Sequence, residues 1–100
     1  RHMAVADEAS KSRAIITVLG SDRPGIVAAV TAALAHHGAN ILDISQTILQ
    51  GTFTMTMLVD LADSKVDFSA LQDELSGLSG ELGVQTNMQR EEVFNFMYRL

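Results

Sequence analysis

The residues Gly20-Ser21-Asp22-Arg23-Pro24-Gly25-Ile26-Val27 separate two apolar runs of different period. Before them, Ala14-Ile15-Ile16-Thr17-Val18-Leu19 is β-branched and almost continuously apolar, the pattern of a strand buried on both sides at the centre of a sheet. After them, Ile26, Val27, Val30, Ala33, Leu34 and His37 follow the i, i+3, i+4, i+7 rule, which predicts a helix from about Pro24 to His37. Between the two the backbone must turn and start a helix, leaving amides without intrahelical partners. Asp22 can accept hydrogen bonds from first-turn amides, Pro24 has a φ suited to a helix start, and Gly25 has no side chain to keep a small molecule from the backbone. Amides at the positive end of a helix dipole suit a carboxylate or phosphate. Asp-x-Pro-Gly is equally ordinary turn-and-cap chemistry, so a binding role needs support from elsewhere in the chain.

That support begins with the order of elements. Gly38 is placed to end the first helix in a left-handed conformation, and Asn40 opens the next segment. Ile41 to Leu49 and Thr52 to Asp60 read as two antiparallel strands joined by Gln50-Gly51. The second of these alternates cleanly, Phe53, Met55, Met57 and Val59 against Thr52, Thr54 and Thr56. The first does not: Leu42, Ile44, Gln46 and Ile48 share one parity while Ile41 and Leu49 share the other, which a bulge or an interface would explain. Ser64-x-x-Asp67 resembles a capping box, with Asp67 an alternative cap, ahead of Phe68, Leu71, Leu75, Leu78 and Leu82 at helical spacing. Gly77 and Gly80 weaken that helix, so its last turns either fray or pack closely. Gly83 ends it, and Val84 to Gln89 alternates as a fourth strand. The βαββαβ order predicts an α+β, ferredoxin-like fold, a four-stranded antiparallel sheet with two helices on one face. Residues 13–89 form this domain. Arg1-His2 ahead of Met3 reads as a tag remnant, residues 1–12 as a flexible leader, and residues 90–100 as a short C-terminal amphipathic helix docked on the sheet or on a second subunit.

With 100 residues, 47% of them hydrophobic, the chain suits one compact domain. It has no cysteine, which removes disulfides, thiolate metal sites and cysteine nucleophiles. A formal net charge of -5 with scattered Lys and Arg argues against nucleic acid and anionic membrane as partners. No apolar run approaches the ~20 residues needed to span a bilayer, and a cytoplasmic location is expected. His36 and His37 are adjacent on a helix and diverge by about 100°, so they do not converge on a metal ion, and His37 reads as core rim. No nucleophile with its base, no phosphate-cradling loop and no metal cluster is visible, so neither catalysis nor a cofactor is expected.

Three features together resemble an ACT domain: the first strand ending in Gly20 to Val27, the Gly38-Ala39-Asn40-Ile41 entry to the second strand, and the element order. The segments Asp43-Ile44-Ser45-Gln46-Thr47, Phe53-Thr54-Met55 and Phe94-Asn95-Phe96-Met97-Tyr98 further resemble a group of stand-alone bacterial ACT proteins, similar to the ACT domains of the glycine-cleavage repressor and formyltetrahydrofolate deformylase. The resemblance implies a homodimer paired through the edge of the second strand. It also implies an amino acid or related carboxylate bound between Asp22, Arg23, Pro24, Gly25, Ile26 and Val27 of one copy and Asn40, Ile41 and Asp43 of the other. Relatives that bind serine typically carry Asn where this chain has Asp22, so the acid either disfavours a carboxylate there or serves as a helix cap. Two functions follow from different classes: a sensor that binds its ligand at the dimer interface and alters a regulated protein partner, or a structural dimerisation and adaptor module with no ligand. A larger residue at position 25 is expected to block binding in the first case while leaving folding largely intact.

Overall fold

The computed structural model describes residues 12–21 and 25–92. In chain order it contains β1 (Arg13–Ser21), α1 (Ile26–His36), β2 (Asn40–Leu49), β3 (Thr52–Asp60), α2 (Phe68–Leu82) and β4 (Val84–Arg90). The strands form one sheet in the order β2-β3-β1-β4 with every neighbouring pair antiparallel, the ferredoxin-like α+β arrangement. Among the described residues no helix is long and apolar enough to cross a membrane. The C-terminal helix expected over residues 90–100 lies mostly outside the described residues, as does the leader up to residue 11.

The core is one layer between sheet and helices. Ala14, Ile16 and Val18 of β1, the alternating Phe53, Met55, Met57 and Val59 of β3, and Val84 and Met88 of β4 meet Ile26, Val30 and Leu34 of α1 and Leu71 and Leu75 of α2. The methionines are core filler where they are described, since Met55, Met57 and Met88 are all buried. β1 is central, as its apolar run predicts, but it is not buried equally on both sides. Both helices cover the Ala14 face, and on the opposite face Leu19 is 42% exposed. On that same face Ile15, near the Arg13 end, is only 9% exposed, so β1 is buried on both sides there and is open toward Leu19.

The first helix starts later than its pattern suggests. Gly25 is the N-cap residue, with φ 90°, and the described helix opens at Ile26; Pro24, the expected opening residue, lies outside the described residues. At the other end His37 is the cap and Gly38 takes φ 78°. The Ala39 amide donates to the Leu34 carbonyl and the Gly38 amide to that of Ala35, each at 3.0 Å, which is the paired closure of a Schellman motif. In the second helix the cap is Asp67, whose Oδ1 accepts from the Ala70 amide at 2.9 Å, while Ser64 instead bonds across its own turn to Val66.

Gly77 and Gly80 neither end α2 nor pack closely, for the helix continues to Leu82 and a Cβ at either position would meet nothing within 4 Å. Each therefore costs backbone entropy without a packing return. Gly77→Ala and Gly80→Ala are each expected to stabilise the domain, by up to about 1 kcal/mol. Urea unfolding midpoints that rise at an unchanged m-value would verify this.

β2 contains the irregularity anticipated from its broken alternation. Its register against β3 slips between Ile41 and Asp43, making Leu42 the extra residue of a bulge. The slip puts Ile41, opposite Val59, on the same face as Ile44 and Ile48, opposite Met57 and Phe53. The hairpin to β3 turns through Gln50 and Gly51, both with positive φ, as a two-residue primed turn requires.

Candidate functional site

The described candidate residues fall into two groups that one chain does not bring together. Asp22, Arg23 and Pro24 lie outside the described residues. Gly25 caps α1, four residues on from Ser21, which pairs with Thr52 at the end of β1. Ile26 is buried in the core and Val27 packs against it, so toward a ligand these two offer backbone amides and little side chain. Gly25 supplies no side-chain cap, and its carbonyl already accepts the first helical bond from the Ala29 amide at 2.9 Å. A helix start of this kind places its first-turn amides at the positive end of the helix dipole.

Asn40, Ile41 and Asp43 sit at the opposite end of the sheet, where Asn40 pairs with Asp60 and Asp60 with Arg13. Ile41 packs against the core, whereas Asn40 and Asp43 are exposed. The Asp43 carboxylate accepts from the Ile44 amide at 2.9 Å, which holds the side chain beside the bulge. At roughly 3.3 Å per residue, the eight steps from Thr52 to Asp60 put about 26 Å between the two groups.

The strand between them has an open outer side. Among the described residues β2 pairs only with β3, and Leu42, Ile44, Ile48 and Leu49 along it are each at least 40% exposed. An edge strand with unpaired backbone groups and an apolar row is a template for another strand. The sequence signal for this row is the same broken alternation that marks the bulge.

The Gly25 backbone changes what a substitution there reports. A Cβ at position 25 would meet nothing within 4 Å, so space is available, but φ 90° is a conformation that side-chain-bearing residues resist. Folding is therefore not indifferent to this position. Gly25→Ala is expected to destabilise the domain by about 1–2 kcal/mol, read as a fall in Tm of several degrees without ligand.

The histidines form a structural contact. The His37 Nε2 meets the Glu74 carboxylate, tying the end of α1 to α2, and the His36 ring stands edge-on to it. Among the described residues no group of three or more His, Asp or Glu is arranged to hold a metal ion.

A family model for the ACT domain matches residues 12–89, the whole of the sheet-and-helix unit apart from its last strand residue. The chain belongs to the ACT domain family. A UPF0237 protein of Methanocaldococcus jannaschii is 51% identical over 89 residues, covering 89% of this chain and 99% of that one. An ACT domain protein from Streptococcus pneumoniae superposes with a TM-score of 0.72 at 45% identity, covering 82% of this chain and 92% of its own. A putative glycine cleavage system transcriptional repressor is similar at a TM-score of 0.70 and 29% identity, over 78% of this chain but 44% of its own. This ACT domain is thus matched nearly end to end by small proteins of its own size and also resembles part of a larger regulator.

Proposed function

We propose that this ACT domain is a cytoplasmic sensor: a homodimer that binds an amino acid or related small carboxylate at its interface and passes occupancy to a protein partner. The observation that carries the reading is the separation of the two candidate groups along an unpaired apolar edge. Pairing β2 with β2 of a second copy about a two-fold axis near Ser45 satisfies both edges and reverses one copy end for end. The Asn40 to Asp43 end of each copy then lies beside the Gly25 end of the other. Amides of Gly25, Ile26 and Val27 would receive the ligand's carboxylate, and the side-chain oxygens of Asn40 and Asp43 its ammonium. The name of the glycine cleavage repressor describes a regulator, which supports a signalling role over turnover.

A thermal-shift panel of amino acids and small carboxylates tests this. A ligand that binds only the folded dimer contributes about 2.7 kcal/mol at a hundredfold excess over Kd, so a concentration-dependent rise in Tm of at least several degrees is expected for one class. A flat panel would instead favour the adaptor module.

A further inference from the structure

The sheet face opposite the helices has a composition that exposure to solvent does not explain. Cross-strand pairing sets it out in rows. The row of Leu19 runs through Thr47, Thr54 and Gln85, and the row of Thr17 runs from Ser45 through Thr56 to Asn87. At the Ser21 end a shorter row joins Leu49 and Thr52 to Ser21. None of these eleven residues is charged, although charged residues make up 19% of the chain. A solvent-facing surface ordinarily carries about 25–35% of them, and α2 shows the ordinary case with Asp73, Glu74 and Glu81 exposed along it. The uncharged rows also present Leu19 and Leu49, 42% and 71% exposed. Charge resumes in the next row, at Asp43 opposite Leu58.

We propose that this uncharged face is a second interface between copies of the chain, joining two β2-paired dimers sheet to sheet as a dimer of dimers; the proposal rests on the β2 pairing above. Three arguments select a further copy as the occupant. Hydroxyl and amide side chains both donate and accept, so a surface made of them is complementary to itself, as a two-fold contact between identical faces requires. Each chain has a formal net charge of -5, so copies repel least where neither presents charge. The area fits as well. Four strands about 4.8 Å apart and three rows about 6.8 Å apart give roughly 400 Å² per chain, half of the ~800 Å² that each partner of a standard interface buries. Antiparallel β2 pairing about an axis through the sheet turns both open faces to one side and joins their patches at Ser45, which supplies the other half. Packed sheets interdigitate their side chains, and a hollow of about 340 Å³ lined by Thr17, Leu19, Gln85, Thr86 and Asn87 gives side chains of the facing sheet room.

Sedimentation velocity of the whole chain over a concentration series tests this, with Leu19→Lys and Gln85→Lys made separately. Both positions lie on β1 and β4, away from the β2 seam, and Gln85 is exposed, so its exchange leaves the core intact. The parent is expected to reach the mass of a tetramer reversibly, and each variant to stop at the dimer with tetramer association weakened at least a hundredfold. A circular dichroism spectrum matching the parent's shows that a variant is folded. A tetramer that persists unweakened in both variants overturns the proposal. So does a parent that stays dimeric up to about 1 mM; if Ile44→Lys/Ile48→Lys splits that dimer into monomers, the β2 reading stands and this proposal alone fails. Failure of the β2 reading looks different, because Ile44→Lys/Ile48→Lys would then keep the parent's mass.

Discussion

The double variant Ile44→Lys/Ile48→Lys is expected to be a folded monomer. Both side chains stand on the outer strand and are 40% and 56% exposed, so within one chain each exchange removes little packing. Surface changes of this kind stay within about 0.5 kcal/mol. In the β2-to-β2 dimer the same changes count twice each, because the two-fold axis brings four side chains to the seam. Burying the remaining half of each isoleucine is worth about 1 kcal/mol, so the pairing loses roughly 4 kcal/mol, or about a thousandfold in dimer affinity. Like charges facing one another add to the loss. Sedimentation equilibrium at matched concentrations would measure it. A variant that remains dimeric with unchanged affinity would place the seam elsewhere.

Gly20→Ala is expected to be among the most damaging single changes outside the helices. Gly20 lies opposite Val84 across the β1–β4 ladder, on the helix-covered side, and an added Cβ would stand 2.7 Å from a Val84 methyl, 3.1 Å from its Cβ and 3.2 Å from its Cα. Val84 is buried and β-branched, so it has no flexible end to swing aside. Overpacking of this sort costs about 1–3 kcal/mol, a fall of roughly 5–20 °C in Tm. The mechanism has its own control, because Val84→Ala removes the atoms that clash. The double variant Gly20→Ala/Val84→Ala should be less destabilised than the sum of its singles, by at least about 0.5 kcal/mol. Strict additivity would rule out the clash.

The element order was legible because each boundary carries its own chemistry. Gly38 and Gly83 take the left-handed conformations that end the helices, Gln50-Gly51 makes the hairpin, and the period-two pattern of Phe53 to Val59 faces the core. The two misread details are both cases where tertiary context decides. Pro24 is suited to open a helix, but Gly25 adopts φ 90° and moves the start to Ile26. The continuous apolar run of β1 reads as buried on both sides, which holds at Ile15, 9% exposed, and fails at Leu19, 42% exposed. The candidate site was legible as two motifs, without any sign that they occupy opposite ends of the sheet. That separation depends on the antiparallel order β2-β3-β1, which relates residues far apart in sequence. It turns two local motifs into an argument for a second copy.

The central claim is that neither end of one chain binds alone. The most direct measurement is to titrate the amino acid or carboxylate selected by the thermal-shift panel, by calorimetry, into the parent protein and into Ile44→Lys/Ile48→Lys in parallel. Saturable binding to the dimer, with affinity reduced at least a hundredfold in the folded monomer, is the expected result. Equal affinity in the monomer would contradict the shared site.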